Sequence, residues 1–258
     1  MRIPAILLAA SAVLLTAAPA LTQKRGAVPD YAAAVAGPGR PADQVKLDEV
    51  RKPAEVLRFM GLKKGDRVLD YFTGTGYYAD IMAGAVGPQG HVVGWNSSGF
   101  ARREAVVKAI ADIRSRRPNT GFYSTPTTAI AFAPNAFDFA LLHLVYHDAY
   151  WESAQFGLPR IDPNSVVKAI WDAVKPGGTV AVIDHVGKAG VDTRELVEKL
   201  HRIDPAVVRA DFERAGFVLE AQSDLLRVPE DDLTKNVFDP SIRGRTDRFM
   251  YRFRKPAR

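Results

Sequence analysis

The chain has 258 residues, no cysteine and a formal net charge of +6. Without cysteine it has no disulfides, no thiolate metal ligands and no cysteine nucleophile. Its length suits one domain with insertions, able to bury a proper core without cross-links. The positive balance raises the question of nucleic acid, but its location argues otherwise. The tail Ser241–Arg258 holds Arg243, Arg245, Arg248, Arg252, Arg254, Lys255 and Arg258 against one acid, Asp247, and so supplies the net charge by itself. Several of these bases alternate with Phe249, Tyr251 and Phe253. That is the period of a half-buried strand with a solvated basic face, so a nucleic-acid partner is not expected.

Taken in chain order, Met1-Arg2 precedes an apolar run, Ile3 to Ala18, and then Ala18-Pro19-Ala20. One base, a short apolar core and small residues at the −3 and −1 positions predict a signal peptide over residues 1–20 and export to the periplasm. The run is shorter than the roughly 20 residues a membrane helix needs, so no stable span is expected after cleavage. No cysteine follows Ala20 to accept a lipid. Residues 21–42, rich in Ala, Gly and Pro, read as an irregular lead-in, and residues 43–258 as the domain. Asp43 is placed to cap a helix ending near Arg51. Pro53–Met60 reads as a second helix with Gly61 as its stop.

A regular alternation follows. Strands are predicted at Arg67–Tyr71, His91–Trp95, Thr120–Ser124, Phe137–Val145 and Thr179–Asp184, with helices at Tyr77–Val86, Phe100–Arg116, Ser165–Val174, Thr193–His201 and Pro205–Ala215. Phe217–Arg227 and Arg248–Arg254 read as a closing strand pair. This pattern implies an α/β fold: a doubly wound, mainly parallel sheet with a C-terminal antiparallel pair. Ligands of such sheets bind beyond the carboxyl ends of the strands. Those ends carry Asp70, Trp95-Asn96, Tyr146-His147-Asp148 and Asp184-His185.

The stretch Val68-Leu69-Asp70-Tyr71-Phe72-Thr73-Gly74-Thr75-Gly76-Tyr77 is the most informative. An apolar strand ends in a carboxylate, and a glycine pair then opens a helix. Gly74 and Gly76 allow a tight turn and close approach of a ligand to the backbone. Dinucleotide sites set a pyrophosphate on such a helix start, usually through G-x-G-x-x-G with no acid before it. Here Asp70 would repel a pyrophosphate and suits a cationic amino-acid group, and Ala79 stands at the third glycine position.

On these residues the chain resembles the class I S-adenosylmethionine-dependent methyltransferases, from about Val45 to Pro256. The other anchors are Phe137-Asp138, Lys175-Pro176-Gly177-Gly178 and Arg214-Ala215-Gly216-Phe217. A narrower likeness, to an exported bacterial group within that class, rests on Arg51-Lys52-Pro53-Ala54-Glu55, Tyr146-His147-Asp148, Asp184-His185, His201-Arg202-Ile203-Asp204-Pro205 and Thr246-Asp247-Arg248-Phe249. The resemblance implies a Rossmann-like fold and S-adenosylmethionine as cofactor. Asp70, Tyr71, Phe72, Thr73, Gly74, Thr75 and Gly76 would hold its methionine end. Trp95, Asn96 and Thr127 would lie by ribose and adenine. Three positions depart from the pattern. Phe72 replaces the first glycine, Trp95-Asn96 ends strand two where an acid is usual, and Pro126-Thr127 lies where another acid often follows strand three.

His147 follows strand four, where such enzymes place substrate-facing groups. A histidine titrating near neutrality can take a proton as the methyl group arrives, and Asp148 is placed to orient it. His185 lies on the same rim, and the family pattern adds His201. His143 inside strand four reads as a core histidine. A metal site is not expected, because the i, i+4 spacing of His143 and His147 aligns on a helix and this segment reads as a strand and its exit. The aromatic stretch Tyr150–Pro163 reads equally as a lid or a surface loop. The expected activity is methyl transfer to a small-molecule acceptor, with His147 as base. Two alternatives are a noncatalytic ligand-binding protein on a decayed methyltransferase fold and a nicotinamide-dependent oxidoreductase.

Overall fold

A computed structural model describes residues 26–257; the expected signal segment, residues 1–20, lies outside them. Seven strands form one sheet: β1 (Arg67–Tyr71), β2 (His91–Ser97), β3 (Thr120–Thr125), β4 (Phe137–His143), β5 (Val174–His185), β6 (Val218–Ser223) and β7 (Arg248–Arg254). Their order is β3-β2-β1-β4-β5-β7-β6. All pairings are parallel except those of β7, which runs antiparallel to β5 and β6. The chain winds outward from β1 to β3 and returns beyond β1 as β4. The crevice at that reversal, above Asp70, is where a doubly wound sheet takes its ligand.

The central strands are apolar on both faces because helices cover both. Val68, Phe139, Leu141, Ala181 and Ile183 pack with Leu57, Ile81 and Met82. These last belong to α4 (Pro53–Met60) and α5 (Tyr77–Val86), which follow the short helices α1 (Tyr31–Val35), α2 (Ala42–Val45) and α3 (Asp48–Arg51). On the other face Leu69, Ala140, Leu142, Val180 and Val182 meet Val166, Ile170, Val208 and Phe212. The short α6 (Ser98–Ala101) and then α7 (Glu104–Arg116) follow β2, α8 (Pro163–Ala173) precedes β5, and α9 (Thr193–Leu200) and α10 (Pro205–Arg214) follow it.

Four local expectations are corrected. The lead-in is not wholly irregular. Asp30 accepts the Ala33 amide as an N-cap, and α1 then buries Tyr31, whose hydroxyl donates to the Leu62 carbonyl at 2.6 Å. The helix expected over Phe100–Arg116 is divided, because Arg103 is extended at φ −64°, ψ 130° between α6 and α7. β4 stops at His143 rather than Val145, since Leu144 turns into the left-handed region at φ +58°. The basic tail is largely tied up internally. Arg252 and Arg254 pair with Glu220, while Arg248 and Lys255 are buried on backbone carbonyls. No helix among the described residues is long and apolar enough to cross a membrane.

Candidate active site

The loop after β1 is built around Asp70. Its carboxyl accepts the Thr73 hydroxyl at 2.5 Å and the Ala79 amide. Burial nevertheless pushes its pKa up to about 7, against those bonds. Gly74 has φ +61°, and a Cβ there would meet nothing within 4 Å, so this position opens on free space. Gly76, at φ +82°, differs: a Cβ would lie 2.4 Å from Ile113 Cδ1, so this glycine serves packing between helices. Phe72 takes the left-handed conformation usual for glycine, at φ +54°. Its ring lies edge-on to Trp95 and Phe100, at 5.8 and 5.3 Å.

The end of β2 corrects the sequence expectation. Trp95 is fully buried, stacks on Tyr71 at 4.9 Å and donates its indole N–H to Thr125 Oγ1 at 3.1 Å. Asn96 uses its whole amide on Gly74: Oδ1 accepts the Gly74 amide at 2.9 Å and Nδ2 donates to the Gly74 carbonyl at 3.0 Å. Neither Trp95 nor Asn96 lines the cavity above the loop, and neither do Gly76 and Thr127. The Thr127 hydroxyl is buried with no hydrogen-bond partner among the described residues.

That cavity measures about 570 Å³, within the size range of small-molecule sites. Asp70, Tyr71, Phe72, Thr73, Gly74 and Thr75 form one side, and His147, Asp148, His185 and His201 another. The four residues expected to serve catalysis thus come together from three places: the turn after β4, the end of β5 and the end of α9. The stretch read equally as a lid or a surface loop contributes Trp151, Phe156 and Leu158 to the wall.

The charges differ from expectation. His147 Nδ1 lies 2.8 Å from Asp184 Oδ1, and its amide donates to Asp184 Oδ2 at 2.9 Å. Nε2 lies 3.4 Å from Asp148 Oδ1. Burial opposes a charge on the ring, but the two carboxylates outweigh it and raise His147 to about 9. The residue expected to titrate near neutrality is therefore held in its charged form above that range. Burial pushes Asp148 up to about 6 against the pull of His147. His185 meets Thr246 Oγ1 at 2.7 Å, and burial holds its pKa well below the ordinary range. His201, at φ +51°, lies against Trp151 at 4.5 Å and Phe238 at 5.1 Å, and burial lowers it to about 4. His143 packs on the buried Tyr78 ring at 4.7 Å, the expected core contact, and also lines the cavity; its Nε2 is buried with no hydrogen-bond partner among the described residues.

Sequence reasoning missed Arg51 as a site residue, although it singled out the motif that Arg51 opens. Lys52, at φ +44° before Pro53, breaks the chain between α3 and α4, and Arg51 faces the cavity from that bend. Its guanidinium lies over the Tyr77 ring at 4.3 Å. Among the described residues it makes no ion pair within 4 Å, and burial lowers its pKa. Asp184, recognised only as a strand end, is the fully buried anchor of His147.

A methyltransferase-domain family model matches residues 62–239. The chain is 30% identical over 134 residues to a demethylmenaquinone methyltransferase of Listeria monocytogenes, covering 50% of this chain and 49% of that protein. It is 32% identical over 182 residues to a 23S rRNA (uracil(1939)-C(5))-methyltransferase of Psychrobacter arcticus, covering 68% and 32%. The chain thus spans about half the length of the first relative and a third of the second. In fold, it aligns with a SAM dependent methyltransferase from Aquifex aeolicus at a TM-score of 0.55 and 18% identity, over 83% of this chain and all of that one.

Proposed function

The chain belongs to the methyltransferase-domain family, a membership that implies S-adenosylmethionine as cofactor, and we propose that it methylates a small, largely apolar acceptor. The observation that carries this reading is the pairing of Asp70 and Arg51 on one cavity. A buried carboxyl and a guanidinium without a carboxylate partner match the ammonium and carboxylate of an amino-acid group. Tyr78 lies near both: burial pushes its pKa up, Arg51 pulls against that and Asp70 adds to it. The bare face of Gly74 leaves room between them. When bound, the cofactor supplies an electrophilic methyl group; the chain supplies position, a dry aromatic wall and proton transfer. Phe72, Trp151, Phe156 and Phe238 favour a flat apolar acceptor. The relative named for demethylmenaquinone supports a small molecule. The internal pairing of Arg252 and Arg254 counts against nucleic acid.

One observation favours a second reading, a noncatalytic binding protein: Asn96 is turned onto Gly74, where the family pattern has a ribose-binding acid. The nicotinamide reading is opposed by Asp70, which would repel a pyrophosphate. Calorimetric titration with S-adenosylmethionine, S-adenosylhomocysteine, 5′-methylthioadenosine and NAD tests these readings, alongside transfer of a labelled methyl group to hydroxylated aromatic compounds. Binding of the first two and not NAD is expected. Arg51→Ala should weaken those two roughly 10–100-fold, as for a lost charged hydrogen bond, and leave 5′-methylthioadenosine, which lacks the amino-acid group, unchanged. Binding with no transfer to any acceptor would favour the second reading; NAD binding alone would sink the first. Export is part of the same proposal, tested by whether the periplasmic protein begins near Leu21.

A further inference from the structure

Three ionisable side chains stand in line where β4 and β5 end. Asp184 is innermost, with no exposed side-chain surface. Its Oδ1 accepts the His185 amide at 2.8 Å and faces His147 Nδ1 at 2.8 Å, while its Oδ2 accepts the His147 amide at 2.9 Å. One carboxylate therefore fixes both the backbone and the ring of His147. The ring's other nitrogen is turned to Asp148 Oδ1. Side-chain exposure rises along the line, from 0% at Asp184 to 4% at His147 and 18% at Asp148.

We propose, resting on the methyl-transfer reading above, that Asp148 takes the acceptor's proton, and that His147 serves as a fixed cation which Asp184 positions. Each ring nitrogen of His147 faces a carboxylate, Nδ1 at 2.8 Å and Nε2 at 3.4 Å, and as an imidazolium the ring has no lone pair to offer as a base. Asp148 lines the cavity and is the one member of the line with appreciable exposure. For a hydroxyl acceptor, the O–H bond breaks and its proton forms a new O–H bond on the Asp148 carboxylate. The electron pair left on the acceptor oxygen forms the bond to the methyl carbon, and the S–CH₃ pair returns to sulfur. The His147 cation stabilises the oxyanion as it develops.

Arg51 and Arg243 line the same cavity, but the rings that face His147 add no charge. His185 of β5 and His201 beyond α9 face the His147 ring at 6.0 and 5.7 Å, and burial keeps both neutral. Tyr71 of β1, which senses Asp148, is kept protonated by its burial.

The test is an NMR titration of the full-length protein with labelled histidine and aspartate, which needs neither cofactor nor acceptor. His147 should remain an imidazolium through neutral pH, and the Asp148 carboxyl, assigned by its loss in Asp148→Asn, should titrate near 6. Asp148→Asn should remove that carboxyl titration and lower the His147 midpoint, and Asp184→Asn should lower the midpoint too. A neutral His147 at pH 7, with Asp148 already ionised at about pH 4, would return the base role to His147 and overturn the proposal. Once an acceptor is in hand, Asp148→Asn should slow transfer roughly 10²–10⁴-fold. Unchanged transfer in that variant would also overturn it. Failure of every acceptor would count against methyl transfer itself, while the titration would still read how the charges are placed.

Discussion

Asn96 holds the Gly74 peptide at both ends, accepting its N–H at 2.9 Å and donating to its carbonyl at 3.0 Å. An amide can do both; a carboxylate can only accept. Asn96→Asp therefore sets a charged oxygen against the Gly74 carbonyl. We expect a loss of about 1–3 kcal/mol in stability, the cost of a buried acceptor left unmatched. Cofactor affinity should not improve. A tenfold gain in affinity on calorimetry would mean that position 96 faces the ribose after all.

The two loop glycines should separate in their effects. Gly74→Val adds a side chain that meets no protein atom near its Cβ and projects into the cavity. The variant should fold, with about 1–2 kcal/mol of strain at a positive φ, and lose S-adenosylmethionine binding. Gly76→Ala is strained at φ +82° and must push the Ile113 tip aside, so it should lower the melting temperature without a selective loss of affinity. Unchanged affinity in folded Gly74→Val would remove the loop from the site.

Much of the frame was legible in the sequence because periodicity and turn chemistry are local. β1, α5 and β7 lie where apolar pattern, glycine and aromatic alternation put them, Asp70 and His185 stand at strand ends as expected, and His147 stands in the turn beyond β4. Side-chain direction was not legible. Whether Asn96 turns to a ligand or back to Gly74 depends on how closely β2 approaches the β1 loop. The charge of His147 depends on Asp184, which lies 37 residues away and meets it only across the β4–β5 pair. Arg51 escaped notice because its role comes from the bend at Lys52, not from any spacing.

The raised pKa of Asp70 makes binding depend on pH. Between its ordinary value of 3.8 and about 7, the folded chain holds a proton that the unfolded chain has released. The Asp70 contribution to stability therefore falls as pH rises through this window, and the burial cost is complete above it. A cationic ligand needs the ionised form, so its binding must displace the proton below about pH 7. Affinity for S-adenosylmethionine should drop by up to about tenfold per unit as pH falls below 7. Proton release should appear as a buffer dependence of the binding enthalpy. Asp70→Asn should bind weakly with a flatter profile. A pH-independent affinity in the wild type from about pH 5 to 8 would argue that no ammonium group meets Asp70.

Arg202, the neighbour of His201 in sequence, serves the fold rather than the chemistry. Its guanidinium pairs with Asp231 at 2.7 and 3.1 Å, both side chains without exposed surface, and donates to the carbonyls of Val186 and Lys235. Asp231 also accepts the Asp247 amide at 2.7 Å. This junction ties the segment carrying Val237, Phe238 and Arg243, part of the cavity wall, to the exit of β5. Asp231→Ala leaves a buried guanidinium without its counter-charge, which should cost about 3–5 kcal/mol. Amide exchange should quicken first between Asp231 and Asp247, since those amides lose their anchor before the sheet opens. Replacing both partners, Arg202→Met with Asp231→Leu, should recover much of the loss, because it removes the unpaired charge. Affinity for S-adenosylmethionine should change far less than stability, since Asp70, Gly74 and Arg51 stand on other elements. If Asp231→Ala melts within about 0.5 kcal/mol of the wild type, as an ordinary surface change would, the pair does not hold this segment, and Arg202 becomes a candidate for the site.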